Sequence, residues 1–132
     1  MKKLLNNKIL FKYFFWIWLI TIFVLSSLPN IPTQTINVWD EPFRLDYLEH
    51  FLVFGGLSGF YIVWKADING VIQLKEHALT IILLILFAAA DEIHQIWIPG
   101  RSFNPLDLIY NVLGLITFLI VFPVIIKQFY KK

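Results

Sequence analysis

The sequence predicts an all-α integral membrane protein: four transmembrane helices in an antiparallel bundle, with both termini cytoplasmic. Three observations point there. First, the 132 residues are 58% hydrophobic, 17% aromatic and only 15% charged, with mean hydropathy +0.71, whereas a soluble domain is about 45–50% apolar and about 25% charged. Second, four apolar runs approach the ~20 residues that a helix needs to cross about 30 Å of hydrocarbon with every backbone polar group bonded internally. Third, Lys and Arg divide unevenly between the two sets of connections. The runs at residues 14–28 and 108–126 carry no polar stripe, which excludes a soluble bundle with a wet face. The composition excludes disorder and collagen-like repeats. With no cysteine, disulfides, thiolate metal centres and cysteine nucleophiles are excluded as well. A single domain spanning residues 1–132 is expected.

The first helix is predicted at about residues 11–28, behind Lys2, Lys3, Lys8 and Lys12. It is longer than a signal h-region and ends in Ser26-Ser27-Leu28-Pro29, a poor cleavage site, so it reads as retained. The second, at 46–64, opens on Asp46, Glu49 and His50 and then runs uncharged to Trp64. The third, at 78–98, is uncharged to Ala90; Asp91, Glu92 and His94 then interrupt it before Ile96, Trp97 and Ile98. Ile98-Pro99-Gly100-Arg101 fits a type II turn, with Pro at the second position and Gly supplying positive φ at the third. Asn104 then caps a fourth helix at 105–126, whose first turn holds Pro105, and Pro123 is expected to kink its far end. Nine of the eleven basic residues (Lys2, Lys3, Lys8, Lys12, Lys65, Lys75, Lys127, Lys131 and Lys132) fall on one side; only Arg44 and Arg101 fall on the other. The nine mark the cytoplasmic side. Trp39 and Trp97 suit the outer interface, and Trp16, Trp64 and Tyr130 the inner one.

This topology gathers the ionisable residues at the outer end. Asp46, Glu49 and His50 start the second helix, Asp91, Glu92, His94 and Gln95 finish the third, Arg101 lies in the turn, and Asp107 and Asn111 open the fourth. Asp46 and His50 share a face, as do Asp91 and Gln95, and Glu92 and Gln95. Asp107, Asn111 and Gly114 form a stripe in which Gly114 admits a close helix approach. An ionisable group at membrane depth is costly against lipid, so it should face the bundle interior or a wet cavity and mark a functional site. Plainer roles stand beside this one. Asp46, Glu49 and Asp107 suit helix capping, His94 suits the interface, and Arg101 suits an ion pair with Asp107 or Glu92. Capping does not account for His50, Asp91, Glu92, Gln95 and Asn111 together. No HExxH or other recognised ligand spacing occurs, so no stable metal site is expected. No cofactor is expected either: there is no glycine-rich phosphate loop, no G-x-S-x-G elbow and no basic face for nucleic acid.

Three function classes follow. In a binding protein, the outer site would take an envelope lipid or cell-wall precursor, with Arg101, Asp46, Asp91, Gln95 and Asn111 holding the ligand. In a membrane-embedded hydrolase or transferase acting on a lipid-linked head group, Glu92 or Asp107 would be general base, with His50 and Arg101 on the head group. In a structural module, the cluster would only lock helix packing. A homo-oligomer is compatible with all three, and a transporter would require one, because four helices lack the bulk for alternating access.

Two segments carry a family resemblance. Asp46-Tyr47-Leu48-Glu49-His50-Phe51-Leu52-Val53-Phe54 resembles the D-K-x-x-H-F-x-x-Y/F motif of the VanZ-like family of small bacterial membrane proteins. Asp91-Glu92-Ile93-His94-Gln95-Ile96-Trp97-Ile98-Pro99-Gly100-Arg101, continuing to Asp107, Asn111 and Gly114, is similar to its D-E-x-x-Q-x-F-x-P-G-R and D-x-x-x-N-x-x-G motifs. Tyr47 stands where the family pattern has Lys, and Trp97 where it has Phe. The resemblance implies a multi-pass protein of the bacterial cytoplasmic membrane. It adds glycopeptide-type antibiotics such as teicoplanin to the candidate ligands, since some members confer low-level resistance to them.

Overall fold

A computed structural model of the chain describes residues 7–32, 34–38, 41–67 and 71–130. Lys2, Lys3, Trp39, Lys131 and Lys132, which entered the orientation argument, lie outside them. Four helices carry the fold: α1 (Lys8–Ser26), α2 (Leu45–Lys65), α3 (Ala78–His94) and α4 (Pro105–Tyr130). Three stretches are long and apolar enough to cross a membrane: Lys8–Ser26, Lys75–Trp97 and Pro105–Gln128. The expectation of four equivalent spans is corrected by α2, which is long enough but less apolar. It carries Asp46, Glu49 and His50 at one end and Gly55, Gly56, Ser58 and Gly59 in its middle.

The helix bounds shift for local reasons. α1 begins before residue 11 because Asn7 caps it, its side chain accepting from the Leu10 N–H at 3.2 Å. The third helix does not stay α-helical to residue 98. It tightens into a 3₁₀ turn over Gln95–Trp97, closed by Ile98 N–H donating to Gln95 O at 3.0 Å ahead of Pro99. α4 runs past 126 and through Pro123 to Tyr130, with Lys127 in its last turn, where the helix dipole favours a cation. The 98–101 turn forms as expected: Gly100 has φ +76° and Arg101 N–H donates to Ile98 O at 3.0 Å.

Sequence reading treated the connection between the first two helices as a loop. It holds a small antiparallel hairpin, β1 (Thr35–Val38) with β2 (Glu41–Arg44), in which Asn37 pairs with Pro42. Two four-residue strands, one containing a proline, leave too short a pattern to read.

Successive helices run in opposite directions. At one end the Lys8 ammonium meets the Ala66 carbonyl, and the Tyr61 hydroxyl lies 2.9 Å from His77 Nδ1. At the other, Ser26 reaches Asp91, and Asn30 N–H donates to Pro99 O at 3.2 Å. α2 is the central element, packed chiefly on α4 and then on α1. Phe54, Leu57 and Tyr61 of α2 join Phe15 and Ile22 of α1, Leu84 and Ala88 of α3, and Leu115 of α4 in the main core. Outside, Leu79, Ile82, Leu83 and Leu86 of α3 and Ile116, Ile120 and Val124 of α4 are exposed. Such faces are at home against lipid tails, where packing and small residues hold helices together in place of the hydrophobic effect.

Candidate functional site

The site forms where α2 begins, α3 ends and α4 begins. Arg44 is the N-cap of α2 and makes no side-chain cap bond, so Asp46 and Glu49 do not form a capping box, although Asp46 Oδ1 accepts from the first-turn Tyr47 N–H at 3.1 Å. Asp46 turns back to Arg44 in a bidentate ion pair. Its hydrogen bond holds the guanidinium pKa above its ordinary value, against the opposing effect of burial. Glu49 is exposed. One turn into α2, His50 is half-buried, with Nδ1 2.8 Å from Asn111 Oδ1 and Nε2 3.7 Å from Asp107 Oδ2.

The two acids ending α3 go separate ways. Asp91 is buried and accepts a 2.5 Å hydrogen bond from Ser26 Oγ on α1. Glu92 is fully buried; its Oε1 accepts from Asn104 N–H at 2.8 Å and its Oε2 from Gln95 Nε2 at 3.5 Å. Gln95 in turn accepts from Arg101 Nε and Nη2 at 3.0 and 2.8 Å. In place of the ion pair with Asp107 or Glu92 considered as a plainer role, Arg101 contacts an amide oxygen. The 3₁₀ turn carries Gln95 under the type II turn and places it between the two charges. Asn104 caps α4 as expected, accepting from Leu106 N–H at 3.1 Å, and its amide also donates to Asp107 Oδ1 at 2.9 Å. Asn111 is fully buried and its Nδ2 has no partner. Gly114 lets α4 touch the α2 backbone: a Cβ there would strike the Phe51 carbonyl oxygen.

Thus Asp46, His50, Asp91, Glu92, Gln95, Arg101, Asp107 and Asn111 do converge on one end of the molecule. All but Glu92 and Asn111 border a cavity of about 320 Å³. Arg44, Asp46, Glu49, His50, Asp91, Gln95, Arg101, Asn104 and Asp107 make its polar wall, and Ile22, Leu25, Ile31, Pro32, Val53 and Phe54 its apolar one. Glu92 and Asn111 sit behind that wall. His94 stands apart: its ring packs 4.9 Å from that of Phe23 and 6.5 Å from that of Trp97. Sequence reasoning missed three participants. Ser26 is a hydroxyl at a helix end, with no motif to flag it. Arg44 counted only as a loop charge, and Asn104 only as a cap. The structure also brings one ligand atom each of His50, Glu92 and Asp107 within 4.8 Å of one another, although no metal-ligand spacing appears along the chain.

A family model described as VanZ/LLP1 matches residues 6–127. The chain belongs to the VanZ/LLP1 family. Comparison with curated proteins and with solved structures finds no match. The matched span takes in all the polar residues of the cavity. At the position where the VanZ-like pattern carries Lys, Tyr47 stacks on Tyr110 with ring centroids 5.0 Å apart, and the Arg44 guanidinium lies 5.1 Å from the Tyr47 ring. Arg44 thus places a cation beside this tyrosine pair.

Proposed function

We propose that this VanZ-like membrane protein binds an amphiphile with an anionic head group at the outer leaflet of the bacterial cytoplasmic membrane. An envelope lipid, a lipid-linked cell-wall precursor or a glycopeptide-type antibiotic fits that description. One observation carries the reading: the cavity has an apolar wall beside a polar one, and its polar wall holds a guanidinium without a carboxylate partner. Arg101 makes no ion pair among the described residues; its Nε and one Nη2 hydrogen go to Gln95 Oε1, and the Nη1–Nη2 edge is left for bidentate contact with a phosphate or carboxylate. Ile22, Leu25 and Val53 would lie along the chain or ring portion of the ligand. Asp46, Asp91, Gln95 and Asn111 would shape the head-group pocket. The crowding of Lys residues at the opposite end of the helices supports an outward-facing cavity.

The experiment is lipid mass spectrometry on protein purified in mild detergent, with Arg101→Gln beside it. An anionic lipid or precursor enriched over the bulk membrane, and lost in Arg101→Gln, supports the reading; the same lipid profile in both proteins refutes it. A link to resistance predicts a lower teicoplanin susceptibility on expression, abolished by the same substitution.

A second reading, hydrolysis or group transfer on the bound head group, is favoured by one feature. His50 and Asp107 line the same cavity with Nε2 and carboxylate 3.7 Å apart, a pair suited to proton handling. It requires a new lipid product in membranes containing the protein, and its loss in Glu92→Gln with insertion intact.

A further inference from the structure

We propose that His50, Glu92 and Asp107 hold a divalent cation of borderline character, Zn²⁺ or Mn²⁺, at the inner wall of the cavity. The three come from three different helices, α2, α3 and α4. With their ligand atoms all within 4.8 Å of one another, some point lies within about 2.8 Å of all three, against metal–ligand bonds of about 2.0–2.2 Å. Side-chain shifts of about half an ångström close that gap. The 3.7 Å between His50 Nε2 and Asp107 Oδ2 is already near the ~3.4 Å edge of a tetrahedral site.

Charge supports the assignment. Glu92 is fully buried and makes no ion pair with Lys, Arg or His among the described residues. Its neighbour in the cluster, Asp107, is a second buried carboxylate, and its own contact to Arg44 is 3.9 Å, with that guanidinium committed to Asp46. Two carboxylates at this spacing repel strongly in a poorly solvated site. A dication between them offsets the repulsion and the cost of burial together. The hydrogen bonds that Glu92 accepts from Asn104 and Gln95 orient it and leave a lone pair on each oxygen.

The imidazole is oriented in the way metal-bound histidines are. One ring nitrogen is held by an outer partner, here Asn111 Oδ1 at 2.8 Å from Nδ1, so that Nε2 points its lone pair at the ion. Asn111 itself supplies the second, independent sign. It is fully buried beside the ring, yet its Nδ2 has no acceptor, and a water or an anionic ligand oxygen on the ion would provide one. One imidazole with two carboxylates suits Zn²⁺ or Mn²⁺ better than Ca²⁺ or Mg²⁺, which take oxygen ligands. His50 and Asp107 also line the cavity, so the remaining coordination positions face the space where a ligand would enter.

The test uses the full chain in detergent, stripped with a chelator and dialysed against micromolar ZnCl₂ or MnCl₂, with metal per chain measured by mass spectrometry. One ion per chain is expected for at least one metal. Affinity should fall by about tenfold or more in each of His50→Ala, Glu92→Gln and the isosteric Asp107→Asn. Glu49→Gln, which changes an exposed carboxylate on the cavity rim outside the cluster, should still bind one ion. Variants are compared only where helicity and monodisperse elution match the parent, and Asp107→Asn provides the fallback if His50→Ala fails to fold. Wild type binding neither metal stoichiometrically overturns the proposal, as does undiminished binding in the folded cluster variants. Equal loss in Glu49→Gln also overturns it, by moving the ion elsewhere in the cavity. Because the probe is the metal alone, this outcome is independent of the lipid-binding experiment.

Discussion

Replacing Gly114 by alanine tests the packing on which the whole site depends. Gly114 is buried on α4, one turn below Asn111 and two below Asp107. An added Cβ would collide with the Phe51 carbonyl oxygen, with the Phe51 carbon at 2.9 Å and the Gly55 nitrogen at 3.1 Å. All three are α2 backbone, which cannot rotate aside, so the two helices must separate. Overpacking of this kind costs about 1–3 kcal/mol, and alanine's better helix propensity returns up to about 1 kcal/mol. Separation also draws Asn111 away from His50. A buried amide that loses its partner adds about 1–3 kcal/mol. The net expectation is a loss of about 2–4 kcal/mol. The other glycines of the interface provide the scale. At Gly55 the added Cβ meets only the Phe118 ring, which can turn, and at Gly56 it meets the Trp18 indole at an ordinary 3.5 Å. Gly55→Ala should therefore cost less, and Gly56→Ala should be neutral or slightly stabilising. Reversible unfolding in mixed micelles of increasing SDS fraction, followed by tryptophan fluorescence, ranks the three. Gly114→Ala unfolding with wild type, or with Gly56→Ala, would refute the argument that backbone contact at this crossing sets the site.

Three further outcomes are expected. Ser26→Ala removes the hydroxyl that donates to Asp91 and should cost about 1–3 kcal/mol in the same unfolding assay, with most of that loss disappearing when Asp91 is also made apolar. Gly100→Ala puts a side chain at φ +76° and against the Asn30 side chain; about 1–2 kcal/mol should be lost from the backbone conformation alone. Arg101→Lys keeps the charge but not the fork and leaves the buried Gln95 oxygen at most one of its two donors, so it should cost about 1 kcal/mol in the unfolding assay while weakening retention of an anionic lipid in co-purification by about tenfold. Equal retention would show that a point charge suffices.

Much of this site was legible because membrane burial makes polar residues conspicuous. Asp91, Glu92, Gln95 and Asn111 interrupt otherwise apolar helices, and their spacing with Asp107 and Gly114 states which faces they share. The turn at 98–101 was readable from Pro99 and Gly100 for the same local reason. What could not be read was the choice of partner across helices. Asp91 and Gln95 share a face, yet Asp91 bonds Ser26, 65 residues away, while Gln95 takes up Arg101. Helical spacing limits where a side chain points; the angle at which two helices cross decides what it finds there, and the sequence states that angle only at Gly114.

The lower hydropathy of α2 follows from the same geometry. A hydropathy window measures suitability for lipid, and the helix with least lipid around it needs that suitability least. α2 has eight buried residues, against four in α1 and four in α3. It is also where small and ionisable residues concentrate: Gly55 and Gly59 face Phe118 and Phe122 of α4, Ser58 returns its hydroxyl to Gly55 O at 2.9 Å, and His50 meets Asn111. Its polar content is therefore spent on neighbouring helices and on the cavity, not on hydrocarbon. A central helix carrying one arm of the polar site and ringed by greasier ones is the arrangement that lets acids, an imidazole and amides lie at membrane depth without meeting lipid. On this reasoning the least apolar helix of such a protein is the place to look first for its chemistry.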